Sequence, residues 1–133
     1  MESGFTIELS SRAEGWWRYN AALLCGCFDA AGQRIGFAST ASDVAPVGSG
    51  LTRRPEEVPA DRRVVLRTPP CDRMRLCVYL IPHALPEDND IDAVQAFDIE
   101  LSISYGDKLL STERRKINPW SGASIELNVS AEP

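Results

Sequence analysis

The feature of this chain that most restricts its fold is a strict alternation of apolar and polar side chains. It is clearest in the segment 97–105, where every second residue is aromatic or aliphatic and Asp, Glu or Ser stands between. The same period of two appears at 5–9 and at 125–129. Successive side chains of a β-strand point to opposite faces of a sheet. These segments are therefore predicted to be strands with one buried face and one wetted face.

Apolar runs between these segments predict further strands. They lie at 16–28, 34–37, 63–67 and 73–81, and the segment 109–117 is predicted to follow a turn at 106–108 as the hairpin partner of 97–105. No helical periodicity connects them, so the chain lacks the helices that a parallel α/β sheet requires. About seven or eight short strands at regular spacing are typical of an antiparallel two-sheet β-sandwich. We therefore predict an all-β fold of this class, C2-like or immunoglobulin-like, in a single domain that spans 1–133.

Turn residues indicate one hairpin and one long loop. Asp29 and Gly32 stand at the first and fourth positions of a four-residue turn, where Asp and Gly are favoured. This turn predicts a hairpin that joins the runs 16–28 and 34–37. Between about 40 and 60, prolines and glycines interrupt the pattern, and we predict a long irregular loop there.

Charge and cysteine usage narrow the classes of partner and compartment. The formal net charge of -5 argues against general nucleic-acid binding, because such a surface repels phosphates on average. No apolar run is long enough to span a bilayer, and the first residues lack the pattern of a secretory signal. We therefore expect a cytoplasmic protein without a transmembrane segment.

The cysteines lack the paired spacing of a zinc knuckle and are predicted to be thiols in the core. They are Cys25, Cys27, Cys71 and Cys77.

An acidic loop carries the candidate metal site. Asp88, Asp90 and Asp92 occupy alternate positions, and carboxylate oxygens are the ligands that Ca²⁺ prefers. The loop lacks the glycine and glutamate positions of an EF-hand, so a calcium site would have to draw on other loops at an end of the sandwich. The alternative is a solvated acidic loop, since Asp and Asn favour turns. Further carboxylates are available at Asp29, Asp43 and Asp107.

The turn at 29–32 and the loop at 88–92 resemble elements of known sandwich domains. They are similar to C2-type sandwiches and to the calcium-binding stress-response domains of the bacterial tellurite-resistance type. The resemblance implies a sandwich that binds Ca²⁺ through its end loops. No other cofactor is predicted.

Three tryptophans are candidate interface residues: Trp16, Trp17 and Trp120. Adjacent residues on a strand point to opposite faces, so we expect one of Trp16 and Trp17 on the outer side. It would lie exposed, or beneath a partner or the 40–60 loop. Exposed aromatic side chains are favoured in protein interfaces.

No catalytic motif accompanies these features. His83 is the only histidine, and no nucleophile motif, phosphate loop or histidine pair is found. We therefore expect a non-enzymatic binding or assembly module that acts through a protein partner or through self-association, for example as a homodimer. Two alternatives stay open. One is a Ca²⁺-dependent C2-like domain that uses the Asp88–Asp92 loop. The other is a small-ligand binding protein or enzyme with a pocket under the 40–60 loop.

Overall fold

The computed structural model of the chain describes residues 3–84 and 97–131. Within them lie eight β-strands and a short 3₁₀ helix at Trp16–Arg18. No helix in this part of the chain is long and apolar enough to cross a membrane. The strands are β1 (Phe5–Ser10), β2 (Tyr19–Phe28), β3 (Arg34–Ser42), β4 (Val64–Arg67), β5 (Arg73–Pro82), β6 (Phe97–Tyr105), β7 (Lys108–Ile117) and β8 (Ala123–Ser130).

The strands form two antiparallel four-stranded sheets. The first sheet has the order β4-β1-β6-β7, and the second has the order β3-β2-β5-β8. The fold is therefore an all-β two-sheet sandwich, as the alternation predicted. The runs 21–28 and 76–81 are apolar on both faces, and they belong to β2 and β5, the two central strands of the second sheet.

The core lies between the sheets and is built from every second residue of the strands. In β1, buried and half-buried residues alternate strictly, and β5 repeats the pattern along most of its length. Each large aliphatic side chain that is fully buried contributes about 1.5–3 kcal/mol to folding. The buried side chains at the centre include Ile7, Leu9, Leu23, Leu76, Val78, Leu101 and Ile103.

The turn between β2 and β3 has the predicted chemistry. The Asp29 side chain accepts hydrogen bonds from the main-chain N–H of Ala31 and Gln33, at 3.0 and 2.9 Å. The N–H of Gly32 donates to the Asp29 carbonyl, and Gly32 has a φ of 83° that favours glycine. The predicted hairpin is confirmed.

The predicted long loop runs from 43 to 63, because β3 continues to Ser42. It leaves the second sheet and enters the first, so it crosses one end of the sandwich. The Asn20 side chain holds its beginning, accepting from the N–H of Val44 and donating to the carbonyl of Ala45, both at 2.7 Å. The N–H groups of Gly48 and Ser49 donate to the His83 carbonyl. The loop is therefore fixed to the ends of β2 and β5.

Candidate functional site

Both Trp16 and Trp17 are buried inside their own chain. They form the 3₁₀ turn before β2 instead of lying on the strand, so the rule of opposite faces does not apply to them. Only 1% of Trp16 and 7% of Trp17 is exposed. The Trp16 indole N–H donates to the Arg62 carbonyl at 2.9 Å, and the Arg62 guanidinium covers the Trp16 ring at 4.5 Å. Neither tryptophan is exposed, which corrects that part of the expectation, and Trp16 lies against Arg62 of the long loop, the cover that the expectation also allowed.

Trp120 is half-buried in the turn that joins β7 to β8. The Asn118 side chain orders this turn by accepting hydrogen bonds from the N–H of Trp120 and Ser121, at 2.8 and 3.2 Å. The indole nitrogen of Trp120 is buried and has no hydrogen-bond partner among the described residues. The ring is therefore placed by the turn, and its interface role stays a prediction.

The predicted metal ligands are not brought together within the described residues. Asp88, Asp90 and Asp92 lie outside those residues. Asp29 and Asp107 lie in the β2–β3 and β6–β7 turns at one end of the sandwich, whereas Asp43 follows β3 at the other end. No group of three or more His, Cys, Asp or Glu side chains in 3–84 and 97–131 is placed to hold a metal.

Three of the four cysteines are core residues, as predicted. Cys25, Cys27 and Cys71 are fully buried, and the Cys25 sulfur lies 3.4 Å from the sulfur of Met74. Burial raises the pKa of Cys71 to about 11 and raises the pKa of Cys25 as well. These two thiols therefore keep their protons at neutral pH and are poor nucleophiles. Cys77 is half-buried on the outer face of the second sheet, between Leu24 and Glu126.

Cys77 is expected to be the thiol that reacts first with an aromatic disulfide reagent in the native protein. Cys77 is partly exposed, whereas the other three cysteines are buried in the core, so the reagent reaches Cys77 first. Absorbance of the thiolate that the reagent releases should show one cysteine reacting rapidly in the native protein. The other three cysteines should react only when the protein is unfolded in urea. The Cys77→Ser variant should lose the fast phase, while Cys71→Ala should keep it. A fast phase that survives in Cys77→Ser would contradict the arrangement.

His83 is buried and links the long loop to the sandwich. Its Nε2 lies 2.7 Å from the Trp17 carbonyl oxygen, which only accepts, so Nε2 carries the proton. In the neutral ring, Nδ1 then accepts from the Ser49 hydroxyl, whose oxygen lies 2.9 Å away. His83 is only 1% exposed. In a catalytic triad a carboxylate orients the histidine, whereas here the Nε2 partner is the main-chain oxygen of Trp17. These contacts explain how residues 48 and 49 are held in place.

A cleft of about 420 Å³ opens at the end of the second sheet where β2 and β8 end. Phe28, Met74 and Val129 provide its apolar lining, and Arg73 and Asn128 are on its polar side. This end of the sandwich is opposite to the one that the 43–63 loop crosses. The cleft therefore gives no support to a ligand pocket beneath that loop.

The four edge strands of the sandwich are protected to different degrees. Edge strands expose unpaired main-chain groups, and proteins shield them with charge, proline or short length. Strand β4 has only four residues, half of the β7 residues are charged, and β8 carries Glu126 near its centre. Strand β3 has nine residues, and no charged residue or proline occurs from 35 to 42. Among the described residues, β3 pairs only with β2, so the main-chain groups along its outer edge have no strand partner, although β4 of the other sheet lies close to β3.

The outer face of the second sheet continues this open edge with apolar surface. Residues directly opposite on neighbouring strands share a face, and Phe37 of β3 lies opposite Gly26, next to Leu24. Phe37 is 60% exposed, the largest value for an aromatic side chain given by the structure. Tyr79 and Ile81 of β5 lie further along the face and are also exposed. We call the outer edge of β3 together with this apolar face the β3 surface.

The described residues define a two-sheet β-sandwich in which β3 is an edge strand without charge or proline from 35 to 42. No protein-family model matches the chain, and no curated protein is similar to it at a significant level. A similar solved structure is a crystal structure of a domain of unknown function, DUF4425, from Bacteroides vulgatus ATCC 8482. The two chains are 11% identical over 100% of this chain and 98% of that chain, with a TM-score of 0.47.

Proposed function

We propose that this chain is a non-enzymatic binding and assembly module that takes up a strand of another polypeptide at the β3 surface. The observation that carries the proposal is the open edge of β3, nine residues long and uncharged from 35 to 42. An added strand gains main-chain hydrogen bonds along such an edge, and side-chain pockets beside it select the sequence. The other three edges are short or carry charge, so they disfavour strand addition.

The apolar face next to β3 supports the same function. Phe37 stands on the edge strand itself, so the side chain of an added strand would lie directly beside its ring. Exposed apolar side chains beside a strand edge favour interaction with a partner, and on this face Arg75 lies across Gly26 from Phe37. Burying the exposed part of Phe37 would supply binding energy that an edge of small residues alone lacks.

Selection of binding peptides tests the proposal without a known partner. A library of random extended peptides is selected on the immobilised protein, and affinities are measured by fluorescence anisotropy. The selected peptides should bind about tenfold more weakly to Ser39→Lys, because the lysine places a charge at the middle of the open edge. The matched control is Thr112→Lys on β7, an exposed residue of an edge strand that is already charged. Peptides that bind wild type and Ser39→Lys equally would contradict the proposal.

A further inference from the structure

We infer that the strand added at the β3 surface is β3 of a second copy of this chain. The two strands would run antiparallel about a twofold axis and would join the two second sheets into one sheet of eight strands. This inference rests on the proposed function and names its partner. It is carried by the two charged residues that lie at the ends of β3.

The charges at the ends of β3 are opposite. Arg34 is the first residue of the strand, and Asp43 directly follows its last residue. Both side chains are exposed, and neither forms an ion pair with another described residue. In an antiparallel pair of β3 strands, the beginning of one lies beside the end of the other. Arg34 of each copy would therefore approach Asp43 of the other copy, at both ends of the shared ladder.

The two charges also lie on the same face of the sheet. A bulge in the β2–β3 ladder brings Arg34 opposite Phe28, whereas Gly36 lies opposite Cys27. Cys27 points into the core, so Phe28, the next residue, lies on the outer face. Because of the bulge, Arg34 lies opposite Phe28 and is therefore on the outer face as well. At the other end, Ser42 lies opposite the buried Ala21, so Asp43 continues on the outer side. The paired strands would therefore bring Arg34 and Asp43 together on one side of the joined sheet.

These charges cannot meet within one chain. Nine residue steps separate Arg34 from Asp43 along an extended strand, which places them about 30 Å apart. Between these two residues the strand itself contains no charge. A twofold axis near Ser39 would also place the exposed ring of Phe37 against Ala41 of the second copy. Strand β3 is therefore complementary to itself in charge and in its apolar residues.

Charge reversal tests the pairing through sedimentation equilibrium over a range of concentrations. Wild type should form a dimer. Arg34→Asp and Asp43→Arg should each weaken it by about tenfold, because each variant faces two like-charge contacts. An equimolar mixture of the two variants should form a heterodimer as stable as the wild-type dimer, since each repulsive contact becomes attractive. The 30 Å separation means that such rescue has to occur between chains.

The controls separate failure of this inference from failure of the proposed function. Thermal unfolding should show that each variant is folded, and a mixture of Ser39→Lys and Ser39→Glu gives the same test if an end variant does not fold. A wild type that stays monomeric up to about 1 mM overturns the inference. So does a dimer that tolerates both reversals, because it uses another surface. In either case, peptides that still bind the β3 edge leave the proposed function standing, and loss of peptide binding removes both.

Discussion

Replacement of Trp16 by alanine is expected to lower the free energy of unfolding by about 3–5 kcal/mol. The indole ring is 1% exposed and belongs to the hydrophobic core. Its removal leaves a cavity and takes away the surface on which the Arg62 guanidinium is stacked. Arg62 is itself buried, and its Nε and Nη1 atoms have no hydrogen-bond partner among the described residues. Urea denaturation, followed by far-ultraviolet circular dichroism, measures the loss.

Trp16→Phe is the matched control for this prediction. It keeps an aromatic ring in the core but loses the N–H that donates to the Arg62 carbonyl. Its cost should therefore be smaller, about 1–3 kcal/mol, mainly from the buried carbonyl that is left unpaired. If Trp16→Ala unfolded within about 1 kcal/mol of wild type and instead prevented self-association, the interface interpretation of this residue would be right.

The strands could be predicted because their signal is local. The alternation at 5–9 reappears as the alternating burial of β1, and the segment 97–105 coincides with β6. The hairpin at Asp29 could be predicted for the same reason, since its turn is closed by groups within four residues. In each case the residues that determine the local structure lie within a few positions of one another in the sequence.

Contacts between distant residues could not be predicted in this way. The partner of Trp16 is Arg62, 46 positions away, and the partner of His83 is Ser49, 34 positions away. A single 3₁₀ turn is enough to bury both tryptophans, and nothing in the alternation distinguishes this turn from a continued strand. The expectation that Trp16 and Trp17 point to opposite faces of a strand was therefore wrong, because the strand begins only at Tyr19.

The β3 surface was also missed by the hydrophobic pattern. Beyond Phe37 the strand contains small residues, so its apolar signal is weak and the predicted strand stopped at 37. Whether a strand lies at an edge depends on sheet order, which local sequence does not contain. One signal was nevertheless present, namely the absence of charge and proline from 35 to 42. That absence acquires meaning only once the topology shows β3 at an edge.

Gly122→Ala is expected to be the second most damaging of the substitutions considered, with a loss of about 2–5 kcal/mol. Gly122 closes the turn between β7 and β8, where its N–H donates to the Asn118 carbonyl at 2.8 Å. Its φ of 72° disfavours any residue with a Cβ. A Cβ at this position would also overlap the carbonyl oxygen of Leu80 and would lie 3.1 Å from Pro82 Cδ. Both obstacles belong to β5, so relief requires β8 to move away from the sheet.

Gly32→Ala separates the two causes of this loss. Gly32 has a φ of 83°, but a Cβ there would meet nothing within 4 Å. Its cost should therefore be the conformational term alone, about 1–2 kcal/mol. Thermal and urea unfolding of both variants measure the difference, which is the steric cost of the contact with β5. Equal losses in the two variants would mean that β8 does not pass as close to the Leu80 carbonyl as the structure places it.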